Sequence, residues 1–225
     1  MTMNVVEKVD DLVTVDHVLI SVSDKTGLET FIPALMDIRP GIRFISTGGT
    51  YERLRGVIGP GAEKNLIRVS DYTGQPETQG GLVKTLDFKI YLGLLTETYN
   101  DSHQEDLRRT DAVPIDMAVV NLYPFKEVSG RPGATLEEAR GNIDIGGPSM
   151  IRAAAKNFIR VACVSDPGDY GAVVKEMAAS QGRISLESRF NLAGKAFSHT
   201  ASYEKAISNF WKRRTAKDMA KCYAF

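Results

Sequence analysis

The sequence predicts an α/β fold with a mainly parallel central sheet flanked by helices, and three observations carry that expectation. Short runs at 17–22 (HVLISV), 43–46 (RFIS), 66–69 (LIRV), 115–122 (IDMAVVNL) and 161–165 (VACVS) are largely apolar and rich in β-branched residues. Strands buried on both faces read this way. Two of these runs pass through a polar, glycine-containing loop into residues with helical spacing. The late stretch 185–211 reads as one long helix, with apolar positions at Leu186, Phe190, Leu192, Ala193, Ala196 and Phe197.

The 225 residues suit one large domain. Residues 1–15 read as a mixed lead-in, and 212–225 as a short basic tail on the solvated end. Hydrophobic residues make up 43% and charged residues 25%, as in ordinary globular proteins. With 28 basic and 28 acidic side chains the formal charge is zero, which argues against a general nucleic-acid or membrane-surface binder. No apolar run reaches bilayer length, and the first residues lack a secretory pattern. Two distant cysteines, Cys163 and Cys222, give neither a disulfide framework nor zinc spacing. A cytoplasmic, reduced protein is expected.

In chain order, strand 17–22 leads through SDKTG (23–27) to a helical pattern at Leu28, Phe31, Ile32, Leu35 and Met36. Strand 43–46 leads through Thr47-Gly48-Gly49-Thr50 to a short helix reaching Leu54. In open parallel sheets such loops gather at the carboxyl ends of the strands, where ligands bind. Their hydroxyls, glycine amides and Lys25 suit a phosphate monoester. SDKTG also reads as a plain helix cap, whereas consecutive glycines cap poorly and favour close backbone approach. Neither loop is a Walker A or GxGxxG motif, so ATP and NAD are not indicated.

Segment 71–77 reads as irregular, and GGLVKTL (80–86) sets Lys84 in a mostly apolar run beside a glycine pair. Lys84 is either a solvated edge residue or a buried lysine tuned for proton transfer. Residues 89–96 are apolar again. Residues 100–111 read as a polar surface helix or loop, with His103 facing solvent. The run 115–122 is the most strand-like and ends in Asn121-Leu122-Tyr123-Pro124-Phe125 at ligand level. Tyr123 there either packs with its hydroxyl on a carbonyl or faces a ligand. A helix is expected from Thr135 to Gly141, with Glu137 and Glu138 in its first turn. Another follows Pro167 and runs to about Ala179. His199 is read as a core or helix-face residue.

The stretch from Asn142 to Asn157, NIDIGGPSMIRAAAKN, organises the rest. Two glycines relax the backbone, and Pro148 suits a first helical turn, where its missing N–H would be unpaired anyway. The Ala-rich continuation reads as a buried helix whose amino end presents free N–H groups beside Asp144. Lys156 lies twelve positions past Asp144. Nine helical residues advance the chain by about 13 Å, so the two share a site only if the helix is short or lies across the pocket.

SVSDKTGL, STGGT, GGLVKTL, NLYPF, IDIGGPSMIRAAAKN and KAFSHTASYEKAISNF occur in this order over residues 16–211. Together they resemble the IMP cyclohydrolase domain of the bifunctional purine-biosynthesis protein, which pairs it with an AICAR transformylase. The resemblance implies a stand-alone cyclohydrolase with a methylglyoxal-synthase-like three-layer fold, usually a homodimer. It implies closure of 5-formamidoimidazole-4-carboxamide ribotide to inosinate with loss of water, no metal or organic cofactor, and a possible separate AICAR formyltransferase as supplier. By resemblance the catalytic residues are Lys156, the main proton-transfer group, with Tyr123, Asp144 and Lys84, the last on the reacting carboxamide. Substrate contacts are expected from Ser23, Asp24, Lys25, Thr47, Gly48, Gly49, Thr50, Leu82, Val83, Thr85, Val120, Asn121, Ile145 and Gly146. Leu82 and Asp87-Phe88 depart from the family's GGRVKTLHP, and losing that Arg removes a charged contact of about 1.5–3 kcal/mol. Two other readings use the same fold, a non-catalytic nucleotide or phosphate sensor and a triose-phosphate lyase. A sensor has no use for the acid–base set, and a lyase would not explain NLYPF or RAAAKN.

Overall fold

The computed structural model describes residues 5–76, 78 and 83–224. The chain runs β1 (Leu12–Thr14), β2 (His17–Ser21), α1 (Leu28–Ile38), β3 (Arg43–Ser46), α2 (Gly48–Ile58), β4 (Leu66–Arg68) and α3 (Val69–Thr73). It continues through α4 (Phe88–Leu95), α5 (Asp101–Arg109), β5 (Met117–Val120), α6 (Phe125–Ser129), α7 (Leu136–Gly141) and α8 (Gly146–Lys156). The last elements are β6 (Ala162–Val164), α9 (Tyr170–Ala179), β7 (Arg183–Ser185), α10 (Leu186–Trp211) and α11 (Ala216–Met219).

Five strands form one parallel sheet in the order β4-β3-β2-β5-β6. Side chains alternate across it, as strand geometry requires. Leu19, Ile45, Ala118 and Val120 pack with α4, α8 and α10 on one face. Val18, Ile20, Phe44, Met117 and Val119 pack with α1, α2 and α9 on the other. Both faces are covered, which is why these strands read as apolar runs rather than as alternation. From β2 the chain winds outward through β3 to β4, then returns to place β5 and β6 on the other side. The reversal opens a crevice between the carboxyl ends of β2 and β5.

Expected strands and helices fall where the sequence places them, with local differences. Val69 starts α3 instead of extending the strand, and 71–77 is helical as far as Thr73. Leu12–Thr14, inside the stretch read as a lead-in, pairs antiparallel with Arg183–Ser185 as a small second sheet. Arg189 fastens that region. Fully buried, it donates to five carbonyl oxygens, those of Asp10, Asp11, Phe158, Ile159 and Ile184, at 2.6–3.1 Å. His103 does not face solvent alone; its Nδ1 accepts the Glu97 amide at 3.2 Å. Below the sheet, at the amino ends of β2 and β5, Arg160 pairs with Asp116 at 3.1 Å. Asp116 also accepts the amides of Asp16 and His17. No helix of the described residues is long and apolar enough to cross a membrane.

Candidate active site

A cavity of about 390 Å³ opens at the crevice between β2 and β5. The loops after β2, β3 and β5, the segment 83–86 and the start of α8 form its walls.

The β2 loop is held by its own polar groups. Asn121 Oδ1 accepts the amides of Ser23 and Asp24 at 2.7 and 2.9 Å, and its Nδ2 donates to the Asp24 carbonyl at 2.8 Å. Its carboxamide is largely spent on the loop, leaving one N–H for a ligand. Thr50 is similarly engaged: its hydroxyl donates to the Val22 carbonyl and accepts the Val22 amide. Lys25 folds its ammonium back onto the carbonyls of Val22 and Ser23, at 3.3 and 3.2 Å, which keeps the charge at the end of β2. Ser21 and Thr47 share a hydroxyl contact of 3.2 Å across the mouths of β2 and β3.

Opposite them, α2 begins at Gly48-Gly49-Thr50 with Thr47 extended at its cap. Gly48 has φ +42, and a Cβ there would stand 3.1 Å from Lys84 Nζ. Glycine at 48 therefore serves both the left-handed backbone and the lysine. Lys84 is half-buried, and its neighbour Thr85 is buried.

The DIGG junction forms the third wall. Neither Gly146 nor Gly147 has a positive φ, so the pair is needed for space rather than for backbone freedom. A Cβ on Gly146 would lie 2.7 Å from Thr85 Oγ1, and one on Gly147 would strike the Asp144 carboxylate and Leu122. Gly147 instead donates its amide to Asp144 Oδ1 at 2.8 Å. Burial raises the Asp144 pKa above its ordinary value, opposed by the amides of Gly147 and Tyr123. Tyr123, 48% exposed, faces the same space.

The cavity thus gathers Lys84, Tyr123 and Asp144 with Ser23, Lys25, Thr47, Gly48, Gly49, Thr50, Val83, Thr85, Asn121, Ile145 and Gly146. Among the described residues, three expected ones are not in its lining. Val120 is buried inside β5. Asp24 lines a second cavity, of about 710 Å³, which shares Ser23, Asn121 and Tyr123 with the first and also includes His199. Leu82 lies outside the described residues. Lys156 is exposed at the far end of α8. That helix runs eleven residues without a break, carrying Lys156 about 15 Å from its start, as the spacing argument anticipates.

The sequence reading missed Met150, Ile143 and Leu86, which also line the cavity. All three lie within stretches already singled out, Leu86 in GGLVKTL and Ile143 and Met150 in NIDIGGPSMIRAAAKN. Among the described residues no three His, Cys, Asp or Glu side chains converge as a metal site.

A doubly wound parallel sheet with polar loops gathered at its switch point is an α/β domain of a specific kind. The family model for the MGS-like domain matches residues 28–149, and the chain belongs to that family. The model for the AICARFT/IMPCHase bienzyme matches residues 154–224. Two curated relatives, each named bifunctional purine biosynthesis protein PurH, come from the Ames and Paris strains of Leptospira biflexa serovar Patoc. Each is 43% identical over 203 residues, covering 90% of this chain and 38% of the relative. The chain therefore spans well under half the length of these relatives. A solved structure described as the crystal structure of ForH superposes with a TM-score of 0.73 at 31% identity, covering 88% of this chain and all of that one.

Proposed function

We propose that this chain acts in purine biosynthesis as an IMP cyclohydrolase, closing 5-formamidoimidazole-4-carboxamide ribotide to inosinate. The observation that carries the reading is the convergence of Lys84, Tyr123 and Asp144 on one cavity that the Gly48-Gly49 helix start also lines. The PurH relatives and the bienzyme match support the same reading.

In this reading the 5′-phosphate sits against the amides at the start of α2, with Lys25 and the Ser23 loop beside it. The imidazole ring lies toward the apolar rim of Val83, Leu86 and Ile145. Fixing the carboxamide against the formyl group removes much of the barrier, because both belong to one molecule. The carboxamide nitrogen attacks the formyl carbon and gives up a proton, and the negative charge passes to the former formyl oxygen. Donors held in place at the DIGG junction and Lys84 stabilise that oxyanion. The oxygen then takes up two protons in all and leaves as water, as the carboxamide and formamide nitrogens each lose one. Asp144 and Tyr123 move these protons, and burial of Asp144 favours its proton-carrying form.

Lys156 is the remaining member of the expected set. Its exposed position at the far end of a straight helix suits delivery to the cavity of a second copy, in the homodimer that the resemblance implies.

The test is to add purified protein to the formylated ribotide without metal or folate and follow inosinate formation. Ring closure well above the uncatalysed rate, lost in Asp144→Ala, supports the reading. Nucleotide binding without closure would replace it with a sensor.

A further inference from the structure

Asp144 is half-buried in the cavity wall, and something must hold it there. Its own side chain meets the backbone amides of Gly147 and Tyr123. Its backbone is held from a distant part of the chain. The Asp144 amide donates to the phenol oxygen of Tyr203 at 2.8 Å, and the same hydroxyl donates to the Asn142 carbonyl at 3.2 Å. One O–H thus bridges a donor and an acceptor two residues apart, across a loop with no regular structure of its own.

Tyr203 is well placed for such a task. It stands on α10, a helix of 26 residues packed against α8, and is itself buried. Its ring meets Phe125 edge to face with centroids 6.2 Å apart. Phe125 closes the NLYPF segment that carries Tyr123. A single side chain therefore ties the Tyr123 wall to the Asp144 wall. Tyr203 lines the neighbouring cavity and not the one that holds Asp144, so it acts through the carboxyl and not on a ligand. Burial pushes the phenol up to about 12, which keeps both its hydrogen bonds intact through the neutral range.

We propose that Tyr203 is a positioning residue for Asp144, setting the carboxyl's depth and orientation through this two-sided backbone bridge. The inference rests on the cyclohydrolase reading for its kinetic consequence but not for its structural one. Tyr203→Phe keeps the ring and removes only the bridge. It is assayed beside the unaltered chain for ring closure over pH, and the Asp144 carboxyl is titrated by carbon-detected NMR in both. The expected result is a kcat lower by about fivefold or more with KM within about twofold. The acid limb of the rate profile and the carboxyl titration should both move toward the ordinary aspartate range, as the loosened loop admits water. An unchanged titration and kcat, with only a lower Tm, would overturn the proposal and leave Tyr203 a packing residue. If the unaltered chain closes no ring, the cyclohydrolase reading fails, and the carboxyl titration alone still decides whether Tyr203 positions Asp144.

Discussion

The ammonium of Lys84 lies 3.1 Å from the point where a Cβ on Gly48 would stand. Gly48 opens α2 with φ +42, so the loop after β3 and the 83–86 segment meet at a left-handed backbone where a Cβ would crowd the tip of the Lys84 side chain. Lys84 is thereby seated over the start of α2.

Gly48→Ala tests that seating. The alanine methyl both strains a left-handed backbone and pushes on Lys84. Strain of this kind costs on the order of 1 kcal/mol, or about 2–4 °C in Tm for a chain of this size. If the phosphate lies on the α2 amides, KM for the ribotide rises about tenfold, the equivalent of 1.4 kcal/mol of lost binding. Unchanged kinetics in a folded variant would remove the α2 start from the binding site.

Most of the sheet was legible because its strands are covered on both faces, which leaves apolar runs that periodicity detects. The runs at 43–46 and 115–122 enclose the observed strands. The loops were legible as loops, and the cavity gathers most of the residues they nominated. What the sequence hides is side-chain economy. Asn121 reads as a ligand contact, yet its amide is largely spent on the Ser23 and Asp24 backbone. The Gly146-Gly147 pair reads as backbone freedom, yet it clears space for Thr85 and Asp144. Pairing of Leu12–Thr14 with Arg183–Ser185 spans too much sequence for local pattern to reveal. Tyr203 sits 59 residues from the amide it accepts, so no motif spacing could link the two.

Asp144→Asn separates stability from activity. Burial raises the Asp144 pKa, so the folded state binds this proton more readily than the unfolded chain does. Its favourable contribution is complete below the unfolded pKa and is lost as pH rises through the folded one. At neutral pH the ionised carboxylate is therefore a liability that asparagine removes, while the asparagine oxygen still accepts the Gly147 amide. Stability at pH 7 should rise by on the order of 1 kcal/mol, with the gain vanishing as the pH falls to the acid range. Ring closure should fall at least about a hundredfold. Thermal melts at pH 4 and pH 7 check the sign; a loss of stability at pH 7 would contradict it.

Asp116 and Arg160 predict the opposite balance at the other end of the sheet. Both are buried, and the Arg160 guanidinium also donates to the Thr96 and Gly93 carbonyls. Removing one partner strands the other charge, at a cost of about 3–5 kcal/mol. Arg160→Met and Asp116→Ala should each lower the denaturation midpoint steeply, while the fraction that stays folded keeps its turnover, because neither residue lines the cavity. Measured chemical denaturation with little change in midpoint would show that the pair is dispensable.

Lys156 offers the sharpest test of how the site is assembled. Helix α8 places Asp144 just before its start and Lys156 at its last residue. If one chain's Lys156 serves the cavity of a second copy, Lys156→Ala and Asp144→Ala should each be inactive alone. Dissociated, mixed in equal amounts and reassociated, they should recover about a quarter of the native activity. Half the dimers are then mixed, and each mixed dimer has one cavity with an intact Asp144 facing an intact Lys156. Were Lys156 to act in its own chain, every cavity in the mixture would lack one group, and nothing would be recovered. Full activity of Lys156→Ala by itself would instead remove the lysine from the reaction, and leave the proton transfers to Lys84, Tyr123 and Asp144.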